Sequence, residues 1–494
     1  MGTTPPKGLS VMKQIPQTLK NLFQNKIGFI LLAELLTLFI ITFGFLIYIA
    51  YTNTLNGDER EHVYASYLVY NGYIPYRDFF EHHHPLLWYL FQPVIHFFIN
   101  SANIWYAART FSLILIVINC IFLFKTSKLL TIVPSAAWIT IILSICPHCV
   151  FLSETEFRPD TPMITFFVAG LYYYLKATKN PSDSKNLSIS FTLFFLALAA
   201  LQKICFLIAP FALLTIFLLY KRIFTLKSIL KALILPFICT SAYVAYLYTN
   251  DALKDYFELN WLLNAKVHFN MQYPIHQTSY YYIANLLAIS TLFTAKPSPC
   301  KYLSFICVCL SIILEFILRG AFLHYWLPLY PLFALICSYY IAALSPKIKI
   351  IALACLIYTI TINNLQYKKN INQNIPLNHF VYLTQNILEL SQPNDYIIGC
   401  IGSLGGLRLD ATGYYWFGRN YIALLDNHYF KRHELPNGDR IVKTRHPKIV
   451  CAEDWTHCMT DDHKFTLDCH SVPTYDRDYL EQHYNNMGFI YVQK

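Results

Sequence analysis

Apolar runs of about bilayer length recur along the first 363 residues, separated by short polar connections. A membrane-spanning helix needs about 20 predominantly apolar residues. Runs that meet or approach this length occupy roughly 27–51, 104–124, 129–150, 162–176, 187–201, 204–220, 232–250, 279–295, 302–318, 324–344 and 348–363. The pattern predicts a mainly α, polytopic membrane protein of about 11 transmembrane helices. The stretch from Leu187 to Tyr220 is too long for one span and is interrupted at Gln202-Lys203, which predicts a helical hairpin. The first run, Ile27 to Tyr51, is too long for a signal-peptide core and lacks a small-residue cleavage site, so it reads as a span.

After about residue 364 the pattern changes. Glycines, charges and histidines appear among short strand-like runs, "YIIGC", "KIVCA" and "FIYVQ", and a helix-like run, "RDYLEQHYNNMG". The chain therefore divides into a transmembrane domain, 1–363, and a small α/β domain, 364–494. The "GCIGSLGG" stretch fits neither the spacing of a dinucleotide fingerprint nor a P-loop and reads as a turn.

Composition agrees with the membrane reading: 55% of residues are hydrophobic and 13% charged, where soluble domains carry about 25% charged residues. The net charge of +10 does not indicate a nucleic-acid partner, because the basic residues sit in short clusters between apolar runs. With the N-terminus inside, Lys7, Lys13, Lys20, Lys26, Lys125, Lys128, Lys176, Lys179, Lys185, Lys221, Arg222, Lys227, Lys231, Lys296, Lys301, Lys347 and Lys349 all fall on inner segments. Roughly half as many basic residues lie on outer connections, the direction the positive-inside rule requires. This orientation places the first connection, 52–103, outside, together with 151–161, the Gln202-Lys203 turn, 251–278 and the turn from Arg319 to His324. By parity the C-terminal domain is extracytoplasmic as well.

Ten of the 14 cysteines lie in or beside apolar segments, where thiols behave as small hydrophobes. Cys400, Cys451, Cys458 and Cys469 fall in the polar C-terminal region, where two disulfides are permitted and no pairing is specified.

The polar residues that can carry chemistry gather on the outer connections. Asp58 and Glu59 follow the first span directly; carboxylates at a membrane boundary are costly unless they are paired or used. Arg60 can pair with only one of them, and an acid facing a polar site can act as general base towards an acceptor hydroxyl. Glu154, Glu156 and Asp160 flank Arg158 in "SETEFRPD" and form a second acidic loop, suited to orienting sugar hydroxyls or holding a divalent cation. Lys203 interrupts an otherwise apolar stretch, and a compact ammonium there suits a phosphate. Arg319 and His324 are similarly placed. His82, His83 and His84 are consecutive, unlike the i, i+4 pair of a helical metal site. In an extended segment His82 and His84 share a side, and Asp58, Glu81 and His82 are the candidate ligands for a divalent metal, the one cofactor this set admits. His83 and His84 otherwise serve as donors to phosphate or sugar.

Taken in order, these residues resemble a known family. The Asp58-Glu59 dyad after the first helix, "GYIPYRDFFEHHHPL" further along that loop, Glu156-Phe157-Arg158-Pro159-Asp160 after the third helix, a lysine in the next outer turn and a late "HYWLPLYPL" are similar to the C-type membrane glycosyltransferases of family 39. Bacterial relatives of the dolichyl-phosphate-mannose protein mannosyltransferases and the lipid A aminoarabinose transferases belong to this family. The resemblance spans roughly residues 27–345.

It implies an inverting glycosyltransferase that moves a sugar from a polyprenyl-phosphate carrier to a lipopolysaccharide, glycolipid or protein acceptor on the outer face of the membrane. Asp58 matches the catalytic aspartate and Glu59 its neighbour, Glu156 or Asp160 the second acidic loop, and Lys203 a phosphate-contacting lysine. The aminoarabinose transferases have Glu-Lys-Pro where this chain has Glu81-His82-His83-His84-Pro85, a departure in the loop that would contact phosphate or metal. The expected setting is a bacterial inner membrane with the C-terminal domain in the periplasm. A transporter or lipid flippase with charges lining a pathway is the competing class. It is disfavoured because the ionisable residues lie at one membrane surface and not at the midplane.

Overall fold

The computed structural model describes residues 17–131, 133–146, 150, 154–181, 184–202, 204–266, 279–294, 298–317, 323–344, 348–349, 376–398, 407–410, 438–451, 477–486 and 490–494. It is mainly helical. In chain order the helices are α1 (Gln17–Thr52), α2 (Gly57–Tyr70), α3 (Leu86–Leu90), α4 (Gln92–Phe98), α5 (Ile104–Leu130), α6 (Pro134–Ile145), α7 (Asp160–Lys179) and α8 (Ser184–Ala200). They continue with α9 (Ile204–Tyr220), α10 (Leu226–Thr249), α11 (Leu253–Phe257, running on as a π-helical turn over Glu258–Leu263), α12 (Ser279–Thr294), α13 (Pro299–Ile312) and α14 (Leu329–Ala343).

A helix lies within each of the first ten predicted spans. Among the described residues, three segments are by themselves long and apolar enough to cross a membrane, Leu32–Thr52, Ile104–Leu130 and Leu226–Thr249; α6, α8, α9, α12 and α14 contribute shorter apolar stretches. The eleventh predicted span, 348–363, falls outside the described residues apart from its first two positions. The predicted hairpin is present: α8 ends at Ala200 and α9 begins at Ile204. Lys176 and Lys179 occupy the last turn of α7, where positive charge opposes the negative end of the helix dipole. At the start of α10, Thr225 and Ser228 form a reciprocal capping box, which satisfies backbone N–H groups that the first turn leaves open.

The helices bury one large apolar cluster, and close approach is built into it at Gly170. A Cβ at this position would lie 2.7 Å from the Phe194 ring, while Ser190 Oγ donates to the Gly170 carbonyl at 2.9 Å. Glycine thus lets α7 and α8 meet backbone to side chain.

A second cluster sits at the first-loop end of the bundle. It joins the buried faces of α2, α3, α4 and the start of α5 to Leu377, Phe380, Leu383 and Ile387 of α15 (Leu377–Leu390), and to Ile397 and Ile449. These last two belong to a five-stranded sheet of order β2-β1-β3-β5-β4, formed by β1 (Tyr396–Ile398), β2 (Leu409–Asp410), β3 (Ile449–Cys451), β4 (Tyr484–Asn486) and β5 (Ile490–Gln493). β1 pairs parallel with β2 and β3, and the β3–β5 and β5–β4 pairs are antiparallel. Helices α16 (Gly438–Arg445) and α17 (Arg477–His483) accompany it.

The strand-like runs are strands. The run "RDYLEQHYNNMG" differs from expectation: its helix stops at His483 and Tyr484–Asn486 pairs with β5. Tyr484 is buried and Asn485 and Asn486 pair with Val492 and Tyr491 of β5, so the ladder outcompetes another helical turn. The "GCIGSLGG" stretch, most of the connection from 345 to 375 that holds the expected domain boundary, and Cys400, Cys458 and Cys469 lie outside the described residues.

Candidate active site

Asp58 and Glu59 occupy the first turn of α2, where carboxylates favour the positive end of the helix dipole. Asn56 caps the helix, accepting from the Asp58 N–H at 3.4 Å, and its amide donates to Glu156 Oε2 at 3.3 Å. Successive helical residues are rotated by about 100°, so the two acids part company.

Glu59 faces α5. It is fully buried in a two-pronged ion pair with Arg109 (Nε–Oε1 2.9 Å, Nη2–Oε2 2.7 Å) and accepts the Phe157 N–H at 3.2 Å. Arg109 also donates to the carbonyls of Ala50, Asn53 and Thr54 at the end of α1. Glu59, expected beside Asp58 as a catalytic residue, has both oxygens engaged and no exposure, and it ties α1, α2, α5 and the second loop together.

Asp58 faces the second acidic loop. Its Oδ2 lies 2.8 Å from Arg158 Nη1, yet its side chain is 38% exposed. Partial burial pushes its pKa up, but Arg158, helped by His62, His83 and His324, outweighs this and holds the carboxylate below its ordinary value. Arg158 also reaches Glu156 at 3.5 Å and Asp160 at 3.5 Å. Two loops about 100 residues apart therefore meet on one guanidinium. Arg60 donates to the Asn56 carbonyl and lies over the Phe380 ring.

The other acids of the second loop are buried. Burial and Asp160 raise Glu154 to about 8. Burial raises Glu156 to about 7, against the pull of Arg158. Both therefore carry protons at pH values where Asp58 is charged, and of the three acids that meet on Arg158, Asp58 is the most exposed.

Beside Asp58 lies a second constellation. Asp58, Glu61 and His62 recur at i, i+3 and i+4, so they share one face of α2. Glu61 meets Glu81, His82 and His83 there, with one potential ligand atom from each within 4.8 Å of the others. Burial, with Glu81 and Asp58 adding to it, pushes Glu61 well above the ordinary carboxyl range. Burial and the neighbouring His83 hold His62 and His82 well below theirs.

The loop is shaped around Glu81, whose Oε1 accepts from the His82 N–H (2.8 Å), the His83 N–H (3.1 Å) and His83 Nδ1 (2.7 Å). Gln202 and Asn264 each donate to the His82 carbonyl at 2.7 Å. Tyr76, at φ 73° and fully buried, donates to the His83 carbonyl at 2.9 Å.

Two sequence-based assignments change in consequence. Asp58 is not a member of the metal-type group, being held by Arg158; Glu61 and His83 join Glu81 and His82 instead. His84 is not poised as a phosphate donor: its Nδ1 is 2.6 Å from the Leu198 carbonyl and its Nε2 is 3.0 Å from the Tyr256 hydroxyl. Burial lowers it to about 4. The pair of histidines sharing a side is not formed, because the bend around Glu81 converges adjacent residues. His324, in the single turn Leu323–Trp326, is close enough to act on Asp58 electrostatically. Lys203 and Arg319 lie outside the described residues.

The comparisons with known proteins bear on this arrangement. Residues 83–248 match the family model of dolichyl-phosphate-mannose-protein mannosyltransferase. Over these residues the resemblance to the family-39 membrane glycosyltransferases is borne out. The matched stretch runs from the histidine loop through α10 and takes in Glu154, Glu156, Arg158 and Asp160; Asp58 and Glu61 precede it. Among solved structures, the crystal structure of ArnT from Cupriavidus metallidurans bound to undecaprenyl phosphate is similar at a TM-score of 0.48 and 10% identity, covering 80% of this chain and 75% of that one. No curated protein matches the chain.

Sequence reasoning missed Glu61, His62, Arg109, Gln202, Tyr256 and Asn264. Glu61 and His62 carried a usable signal, the 3–4 spacing from Asp58, once 57–70 is read as a helix. Arg109 also had one: it is the lone charge near the start of a long apolar run, a costly position without a partner. The other three are ordinary polar residues whose role is set by the backbone they meet.

Proposed function

We propose that this protein transfers a sugar from a polyprenyl-phosphate carrier to a hydroxyl-bearing acceptor, with Asp58 as the general base. The observation that carries this reading is Asp58 itself. It is held ionised by Arg158, is partly open, and sits where the first loop meets the second acidic loop. The family match supports glycosyl transfer as the reaction class.

Attack by an acceptor hydroxyl on the anomeric carbon needs a proton acceptor on one face and charge compensation for the departing phosphate on the other. Asp58 takes the acceptor proton as the new glycosidic bond forms. The carrier phosphate leaves with the bonding electrons of the old one, and displacement in a single step inverts the anomeric centre. Arg158 keeps the base charged and fixes its direction, while Glu156 and Asp160 fix Arg158. Lys203 is the proposed phosphate contact; the residue before it, Gln202, is bonded to the His82 carbonyl, which ties that turn to the histidine loop. Arg319 and His324 complete the proposed phosphate side. The positive-inside pattern supports the outer face as the place of reaction, and a lipid-linked donor suits a face without nucleotide-sugars. Lipopolysaccharide, another glycolipid and protein are the acceptor classes this site would serve.

Asp58→Asn tests the reading. In membranes carrying the variant, transfer of labelled sugar from polyprenyl-phosphate donor to endogenous acceptors should fall at least 100-fold, with thermal unfolding of the detergent-purified protein unchanged. Mass spectrometry of glycolipids and envelope proteins, with and without the protein, then identifies sugar and acceptor together. Retained transfer in Asp58→Asn would remove Asp58 from the mechanism.

A further inference from the structure

We propose that Glu61, Glu81, His82 and His83 form a closed binding site for one zinc-type divalent transition-metal ion, which fastens helix α2 to the histidine loop. This inference rests on the donor geometry and stands apart from the reading of the neighbouring residues as a transferase.

The four side chains offer two carboxylate oxygens and two imidazole nitrogens, all within 4.8 Å of one another. A tetrahedral ion with bonds of about 2.0–2.2 Å places its donors about 3.3–3.6 Å apart. The separations in the structure straddle that value: His82 Nδ1 lies 3.9 Å from Glu61 Oε1 and 3.8 Å from Glu81 Oε1, and His83 Nδ1 lies 2.7 Å from Glu81 Oε1. Shifts of under about an ångström would close the shell, with the ion taking the place of the proton between Glu81 and His83.

Outer contacts already position the ligands. The His82 and His83 carbonyls are held by Gln202, Asn264 and Tyr76, and Glu81 Oε1 is held by the loop's own N–H groups. Supporting bonds of this kind orient metal ligands before an ion arrives. Glu81 Oε2 is buried and takes no N–H donor among the described residues; the Glu61 and Glu81 carboxyls bond to each other, so a proton or a cation must lie between the two acids. His83 is the most open member, 19% exposed at its side chain, and marks the entry route.

The donor set selects the ion. Paired imidazoles favour zinc and its neighbours over magnesium or calcium, which seek oxygen donors and retain water. Four protein donors leave no open position, the pattern of a structural site. Asp58 stays outside the shell on Arg158, so the metal and the proposed base are separable by mutation.

The test uses full-length detergent-purified protein, stripped with chelator and titrated with ZnCl2 by calorimetry, with bound metal counted by elemental mass spectrometry. One zinc per chain is expected, undisplaced by excess Mg2+, with a raised unfolding midpoint. Glu61→Gln and His83→Ala should each weaken binding at least tenfold and abolish the thermal shift, whereas Asp58→Asn should bind as the parent does. If Glu61→Gln does not fold, His83→Ala alone carries the comparison. Absence of stoichiometric zinc, or binding that His83→Ala leaves unchanged, would overturn the proposal and leave the cluster as a proton-sharing network. Sugar transfer plays no part in these readouts, so failure here would not touch the proposed function, nor the reverse.

Discussion

Among the carboxylates at the first-loop end of the bundle, partner and exposure decide role. Glu59 and Asp58 are adjacent, yet one is locked to Arg109 without exposure and the other is held by Arg158 at the edge of the site. Removing one member of a buried ion pair strands the other charge and costs about 3–5 kcal/mol. Glu59→Gln should therefore lower the unfolding midpoint markedly, read by differential scanning fluorimetry. Any loss of transfer should track the loss of folded protein, in contrast to Asp58→Asn. The buried acids of the second loop make stability depend on pH. Glu154 rises from 4.5 unfolded to about 8 in the fold, so between those values the folded state binds more protons than the unfolded one. Stability is then full below about pH 4.5 and is lost as pH rises towards 8. The slope approaches about 1.4 kcal/mol per pH unit for such a group. Glu154→Gln should flatten the decline in unfolding midpoint between pH 5 and 8.5; an unchanged profile would mean that Glu154 is not the protonated group.

The helices depend on specific close approaches as well as on apolarity. Gly170 admits the Phe194 ring where a Cβ would lie 2.7 Å away, and overpacking a filled interior typically costs about 1–3 kcal/mol. Gly170→Leu should destabilise the α7–α8 pair by about that much or more, with Gly170→Leu/Phe194→Ala recovering part of the loss in a double-mutant cycle. Non-additivity in unfolding free energy is the measurement that shows the contact. Run length made these helices legible in the sequence. The close approach at Gly170 was not, because a glycine in an apolar helix says nothing about which neighbour it faces.

Across the whole molecule, the C-terminal segments pack on the same end of the bundle as the first loop. Trp105 Nε1 donates to Thr384 Oγ1 at 2.9 Å. Arg408, nearly fully buried, joins Ser391 to Asn100 of the first loop. Arg408→Ala strands those acceptors, worth about 1–3 kcal/mol. It should speed limited proteolysis of the C-terminal part in detergent, while α1 to α10 stay intact. A cleavage rate equal to the parent's would show that Arg408 does not hold the two parts together.

Hydropathy runs alone located ten helices, the break at Gln202-Lys203 and the polar connections, because a chain that must satisfy its backbone within a bilayer has little choice but continuous apolar helices. Short β-rich runs likewise marked β1, β3 and β5. Tertiary structure alone decided which acid faces Arg158 and which faces Arg109, that Glu61 and not Asp58 joins the histidines, and that His84 is turned away towards Leu198 and Tyr256. Those outcomes depend on the rotation of a helix and the bend of a loop against partners 20 to 172 residues distant. No local spacing encodes them.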